Sequence, residues 1–217
     1  MASRMTVTEL RSLVAARTAA RPRPPGGAVL TGVPALDDAL GGGLPAGQLT
    51  ELVSATPSSG GQSILEHLLL TTRAARQRVA LIDGADGFVP SSAPSDALRH
   101  LVWIRAGGID PAFAAADILV RDGNYAVVVL DLRGLNERAL LRQPATLWHR
   151  LHHAAAASAP AVLVQTATPL VPSVPWRLVL NASRTLSELD EPRAHLVGQL
   201  SCAVARGHVS IADELTG

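Results

Sequence analysis

The sequence has 217 residues, of which 47% are hydrophobic and 17% charged, and its formal net charge is +1. A chain of this length and apolar content can bury one substantial core, and its near-zero net charge excludes a global field that attracts nucleic acid or membrane. All 19 basic residues are arginine, so catalysis or phosphate binding by a lysine is excluded.

The first 25 residues are predicted to form a short helix and a proline-rich linker, ahead of a core domain at 26–217. Thr6 and Glu9 have the spacing of a capping box, and apolar residues on one helical face follow them. The sequence RPRPPGG ends the helix, because its prolines remove backbone donors and disfavour helix in the preceding residues. Five arginines against one glutamate give this segment a balance of +4, and they are candidate contacts for DNA or a protein partner: Arg4, Arg11, Arg17, Arg21 and Arg23.

Apolar strands alternate with helices through the middle of the chain. A short helix around 35–40, glycines 41–43 and a turn at Leu44-Pro45 precede the first strand, LTELV. Further strands are predicted at 78–82, HLVWI, YAVVVLDL and PAVLVQT, and helices at 62–76, from Pro111, and over PATLWHRLHHAAAA. Strands that are apolar throughout and alternate with helices are typical of an α/β fold with a mostly parallel sheet covered by helices on both faces.

The end of the chain has a different pattern. WRLVLNASRTLSEL and AHLVGQLSCAVARGHV are predicted to be consecutive strands without a helix between them, which indicates antiparallel strands at one edge of the sheet. Residues 185–217 hold five acidic residues against two arginines, a balance of −3. The two ends of the chain are therefore oppositely charged.

The segment ELVSATPSSGGQSILEHLLL, residues 51–70, has the order of a phosphate-binding loop: strand, small-residue loop, helix. The pattern of a working loop is GxxxxGK[ST], in which glycines let backbone N–H groups close on the phosphates, lysine neutralises them and the hydroxyl binds magnesium. Aligning Gly60 with the second glycine places Ala55 at the first glycine, Gly61 at the lysine and Gln62 at the hydroxyl. Ser63 lies one residue too late and is a candidate helix cap.

Three of the four signature positions are therefore changed. Replacing the lysine by glycine removes a charge-assisted contact to phosphate worth about 2 kcal/mol in a partly desolvated site. Gln62 offers magnesium a longer and less well-placed oxygen than a serine. Tight binding of magnesium-ATP is not expected.

The segment GVPALDDALGGGLPAGQLTELVSATPSSGG resembles the beginning of the ATPase core of the RecA/RadA recombinase family. The resemblance covers about residues 28–206 and is specific over 32–60. It implies a RecA-like core. The matching residues are Leu36, Asp37, Gly42, Gly43, Leu44, Pro45, Gly47, Glu51, Ser58, Ser59 and Gly60.

Further matches to this family are positional. VVVLD resembles the magnesium-coordinating strand, with Asp131 as the acid, and LVQT resembles the strand that ends in a nucleotide-sensing glutamine, here Gln165. The position of the family's catalytic glutamate is occupied by Ala85, with Asp86 beside it. The resemblance therefore implies that the lysine and the general base are absent together, and no enzymatic activity is expected.

A RecA-like core of this size, with an altered loop and a short antiparallel ending, resembles the ImuA (SulA/RecA-like) family. This resemblance implies an adaptor that acts in SOS mutagenesis and translesion DNA synthesis by binding RecA and the polymerase homologue ImuB. The altered loop predicts that it is non-catalytic and holds no cofactor or metal, and the single cysteine is compatible with the predicted cytoplasmic location. Because RecA subunits join head to tail, the oppositely charged ends also favour self-association of the same kind. Direct DNA contact is expected to be weak or indirect.

Three alternatives remain at this stage. The first is a weak RecA-family ATPase that uses an arginine from another subunit in place of the lysine. The second is a SulA-type cell-division inhibitor that binds FtsZ. The third is a DNA-binding repair protein, whose arginine-rich N-terminus would give salt-sensitive affinity; the segments that correspond to the recombinases' DNA-contacting loops, 132–143 and 166–175, look short, and the first carries Arg133, Arg138 and Arg142.

Other residues of chemical interest fit structural roles better. His149, His152 and His153 have helical spacing that suits a metal, yet no carboxylate or cysteine lies near them in sequence. Cys202 is the single cysteine and is predicted to be a buried thiol. Trp176 is predicted at the core edge, with an exposed partner-binding surface as the alternative. No apolar run reaches the length of a membrane span.

Overall fold

The computed structural model describes residues 27–56, 59–180 and 193–205. Nine strands lie in these ranges: β1 Ala28–Val29, β2 Leu44–Pro45, β3 Leu49–Val53, β4 Val79–Asp83, β5 Leu101–Arg105, β6 Val127–Asp131, β7 Ala161–Thr166, β8 Trp176–Leu180 and β9 Cys202–Ala205. The α-helices described are α1 Pro34–Leu40, α2 Gly61–Ala74, α3 Ile109–Asp122, α4 Glu137–Leu141, α5 Ala145–Ser158 and α6 Arg193–Gly198.

Seven strands form one sheet in the order β5-β4-β6-β7-β3-β8-β9. Every pair in it is parallel except β8 with β9, and β1 and β2 form a separate antiparallel pair. The α/β prediction with a mostly parallel, helix-covered sheet is confirmed. It could be made from sequence because strands buried on both faces must be apolar at every position.

The sheet separates two apolar cores. On one face, α2 packs on alternate strand residues such as Leu81, Val129 and Leu163. On the other face, α3 and α5 pack on the residues between them, and the rings of Phe113 and Trp148 meet edge to face at 4.9 Å. Since side chains alternate along a strand, Asp83, Asp131 and Gln165 at the strand ends lie on the α2 face of the sheet.

Two sequence-based predictions of local structure are wrong. Leu44-Pro45 is the strand β2, paired with β1, and not a turn. At the end of the chain, α6 lies between β8 and β9, where no helix was predicted; the predicted antiparallel pairing at the sheet edge is confirmed for β8 with β9, while β8 runs parallel to β3. The buried residues Leu196, Val197 and Leu200 explain this helix, because their spacing covers one helical face instead of alternating.

The predicted N-terminal helix and linker lie outside the described residues, as do its five arginines. In the described part of the chain, no helix combines the length and apolarity needed to cross a membrane.

Candidate functional site

The altered loop lies where its sequence predicts, between β3 and α2. Gly60 is the N-cap of α2 and has a φ of 101°, a left-handed conformation that favours glycine. Its carbonyl accepts a hydrogen bond from the backbone N–H of Ile64 at 3.0 Å. Ser63 therefore lies within the first turn and does not cap the helix. Ser59 is buried, whereas Pro57 and Ser58 lie outside the described residues.

Arg133 occupies the space beside the first residue of α2. Its Nε and Nη2 donate to the two carboxylate oxygens of Asp131 at 2.9 and 2.6 Å, and its backbone N–H donates to the same carboxylate at 3.0 Å. A Cβ atom added at Gly61 would lie only 2.1 Å from Arg133 Nη1. The guanidinium thus stands where a side chain at the lysine position of a phosphate-binding loop would begin, and it is already engaged with the aspartate.

Gly60 is covered by Leu200, which follows α6. A Cβ atom at Gly60 would lie 2.5 Å from Leu200 Cδ2. The apolar side chain packs against the turn that leads into α2, so the described part of the loop is enclosed by an arginine and a leucine.

The two aspartates at the ends of β4 and β6 both have partners. The buried carboxylate of Asp83 accepts hydrogen bonds from the backbone N–H groups of Gly87 and Phe88, each at 2.9 Å, and from Trp103 Nε1 at 3.3 Å. Asp83 therefore holds the loop after β4. Asp131 is bound by Arg133, so neither carboxylate faces the loop as a free metal ligand.

Among the described residues, the polar side chains around the loop are not arranged as a magnesium site. Gln62 donates its amide to Ser92 Oγ at 3.3 Å. Gln165 is fully buried, and within the described residues neither amide atom has a hydrogen-bond partner; the same is true of Ser54 Oγ. The two glutamine amides and the Ser54 hydroxyl do not replace the lysine and the magnesium-binding hydroxyl of a working phosphate-binding loop. The described residues therefore do not fit a magnesium nucleotide.

A buried ion pair that the sequence did not predict joins strands β3 and β8. Glu51 in β3 is fully buried, and its Oε2 lies 2.6 Å from Nε of Arg177 in β8. Its other oxygen accepts from the backbone N–H groups of Leu170 and Val171 at 2.6 and 3.1 Å. The pair fixes the segment after β7 against the sheet. An acidic residue within the apolar strand LTELV was the available signal.

The remaining predicted site residues are separate from this centre. Trp176 is buried among the residues that α2 covers, so it forms no exposed partner-binding surface. His149 and His153 are exposed on α5, and no group of three potential metal ligands occurs in the ranges 27–56, 59–180 and 193–205. Asp86, next to Ala85, forms an exposed ion pair with Arg105.

Cys202 is half-buried, and its Sγ donates to the carbonyl oxygen of Ala35 at 3.4 Å. Burial raises the pKa of this thiol. It is therefore a weakly reactive structural residue, in line with its position in β9.

The fold and the loop together define a class: an α/β protein with a RecA-like core and an altered phosphate-binding loop. Comparison with known proteins supports the relationship. RecA of Frankia alni is 35% identical over 112 residues, which is 50% of this chain and 32% of that RecA. RecA of Streptomyces avermitilis is 32% identical over 118 residues, 53% of this chain and 31% of the relative, and RecA of Frankia casuarinae is 37% identical over 113 residues, with 50% and 32% covered.

The chain spans about a third of the length of the curated relatives it matches. No protein-family model matches it.

Proposed function

We propose that this protein is a non-catalytic RecA-like adaptor in DNA damage tolerance, which acts in SOS mutagenesis and translesion synthesis by binding RecA and an ImuB-type polymerase homologue. The observation that carries the proposal is the ion pair between Arg133 and Asp131 against Gly61. A bound triphosphate needs a cation directed at its phosphates and a carboxylate available to its metal. Here the two groups satisfy each other.

The similarity to RecA over half of the chain supports the setting in DNA repair. A protein that keeps a RecA-like core has surfaces that can meet RecA itself, since RecA-type subunits join through heterologous contacts that do not close on themselves. The same geometry permits head-to-tail self-association.

The first test is nucleotide binding and turnover. The purified protein is expected to show no magnesium-dependent ATP hydrolysis above a control without protein, and no shift of its melting temperature with ATP. A turnover rate typical of RecA would overturn the proposal. The triple variant Gly61→Lys/Gln62→Ser/Arg133→Ala restores the lysine and hydroxyl and removes the obstructing guanidinium, and a gain of ATP binding is expected from it.

The second test concerns partners. Immobilised protein is expected to retain RecA and the ImuB-type homologue, while FtsZ polymers are expected to sediment without it. Co-sedimentation with FtsZ and no retention of RecA would instead support a SulA-type division inhibitor.

One observation favours a second candidate, a weak ATPase. The guanidinium of Arg133 lies beside the first turn of α2, near where a phosphate-binding lysine would act. If Arg133 leaves Asp131 and binds phosphate, turnover must be measurable and Arg133→Ala must abolish it. The adaptor proposal expects no turnover from either protein.

A further inference from the structure

A basic pocket lies at the amino-terminal ends of the parallel strands, whereas the Gly60 loop lies at their carboxyl-terminal ends. It has a volume of about 510 Å³ and opens at the amino-terminal ends of β4 and β5. Its lining contains no carboxylate and includes four arginines: Arg73, Arg76, Arg78 and Arg99.

The positive charge of this pocket is only partly balanced. Asp96 outside the lining accepts two hydrogen bonds from Arg73, each at 3.0 Å, and lies 3.7 Å from Arg99. Arg76 and Arg78 are exposed, and neither guanidinium forms an ion pair with any described residue. Two arginine side chains therefore remain available to an anionic ligand.

The turn between α2 and β4 holds these two arginines in place. Arg76 has a φ of 56°, in the left-handed region where a residue other than glycine is uncommon. Its backbone N–H donates to the carbonyl of Arg73 at 3.1 Å, and the carbonyl of Arg78 accepts from the N–H of Ala126 at 2.9 Å. The backbone of the turn is thus hydrogen-bonded at both ends, and it carries the two exposed arginines two residues apart.

The pocket also offers apolar and aromatic surface. Val102 is 41% exposed on the edge strand β5, and the partly buried side chains of Leu101 and Tyr125 lie beside it. Arginine forks next to such surface match a single nucleic-acid strand, whose phosphates and unpaired bases are both accessible. A duplex offers the phosphates but keeps its bases stacked inside.

We propose that this pocket binds a single nucleic-acid strand, with Arg76 and Arg78 on consecutive phosphates and the surface of Val102 and Tyr125 against the bases. An acidic peptide added to the edge of β5 is a poorer match, because it would need positive charge along that strand. The unpaired arginines instead lie on the turn beyond the end of the strand. The inference does not rest on the proposed function, because it uses different residues at the opposite ends of the strands.

The experiment measures fluorescence anisotropy of a labelled single-stranded oligonucleotide with the full chain, at 50 and 200 mM salt. The test variant is Arg76→Ala/Arg78→Ala. The control is Arg121→Ala/Arg150→Ala, which removes the same charge from two exposed arginines of α3 and α5. Any contribution of the N-terminal arginines is common to all three proteins, and thermal unfolding verifies that each is folded.

Loss of two phosphate contacts is expected to lower affinity at 50 mM salt at least about tenfold and to reduce the slope of log affinity against log salt by about 1.4. The control is expected to retain wild-type affinity and slope. Equal behaviour of the two variants would overturn the proposal, as would duplex DNA bound as tightly as the single strand. Retention of a polyglutamate peptide without binding of the oligonucleotide would assign the pocket to an acidic protein partner and would also overturn it.

Discussion

Arg133 and Asp131, two residues apart in sequence, form a two-point ion pair directly against the first residue of α2. The pair places a positive charge and its counter-ion at the position where the loop sequence lacks a lysine. Both groups come from the end of β6, so the arrangement depends on the parallel sheet that brings β6 and the loop after β3 to the same edge.

The ion pair is expected to stabilise the fold. Arg133→Met leaves the buried carboxylate of Asp131 with a backbone N–H and no cation, and the free energy of unfolding should fall by about 2 kcal/mol. Urea denaturation measures this change. Arg138→Met, an exposed arginine of α4, is the matched control and should change stability by less than about 0.5 kcal/mol.

The double variant Asp131→Asn/Arg133→Met should recover most of the loss, because no buried charge is then left alone. A loss in Arg133→Met no larger than that of the control would show that the pair does not contribute.

The contact between Gly61 and Arg133 gives a second prediction about stability, in which the sign of the effect of Gly61→Ala depends on the residue at position 133. Gly61→Ala alone should destabilise the protein by about 1–3 kcal/mol, because the new methyl group displaces the Arg133 guanidinium and disturbs its ion pair with Asp131. In an Arg133→Ala background the same substitution should be neutral or stabilising by up to about 1 kcal/mol, since alanine favours helix over glycine. A double-mutant cycle from urea denaturation measures the coupling, and additive effects would contradict it.

The buried pair of Glu51 and Arg177 should matter more for stability than any exposed pair. Glu51→Gln leaves the Arg177 charge buried without its partner, and the expected loss is about 3–5 kcal/mol. Asp86→Asn breaks the exposed pair with Arg105, which solvent screens, and should cost far less than the loss of the buried pair. Thermal or urea unfolding of the two variants compares them, and similar losses would refute the assignment.

His100 should make stability depend on pH. Burial, and then the nearby charge of Arg73, lower the pKa of this imidazole from its ordinary value of 6.5, while Asp96 opposes the shift. The hydroxyl of Thr72 donates to the carbonyl of Leu68 at 2.6 Å, so His100 Nε2 is the donor to Thr72 at 2.9 Å and Nδ1 has no partner among the described residues. Protonation of Nδ1 would bury an unpaired N–H group.

Because the pKa is lower in the folded state, the unfolded chain takes up the proton first as pH falls. Stability should therefore decrease as the pH falls below 6.5, towards the lower folded-state pKa. His100→Gln should weaken this dependence, measured as free energies of unfolding at pH 7.5 and 5.5. His152, whose pKa is also lowered by burial, contributes in the same direction and will leave a residual slope. An unchanged slope in His100→Gln would contradict the account.

The sequence predicts the scaffold of the site well. Apolar strands that end in Asp131 and Gln165 must place these side chains at one edge of a parallel sheet, and the structure confirms that they are neighbours in register. The loop between β3 and α2 was equally visible, because small residues and glycines separate an apolar strand from an amphipathic helix.

The contacts that give the site its character could not be read in the same way. Arg133 looked like one of several arginines in a connecting segment, and its contact with Gly61 depends on the path of the chain after β6. Leu200 reaches Gly60 only because α6 forms. The segment AHLVGQL fits a strand pattern almost as well as a helical one, so neither the helix nor this contact could be predicted. Such contacts between residues far apart in sequence follow from tertiary packing and not from local pattern.

The link between Glu51 and Arg177 joins residues that are 126 positions apart. A nascent chain on the ribosome that still lacks Arg177 holds Glu51 without its counter-ion, in a strand that has β7 as a neighbour on one side but not yet β8 on the other. Strand β3 can therefore reach its final state only after β8 has emerged, so completion of this part of the core falls late in synthesis.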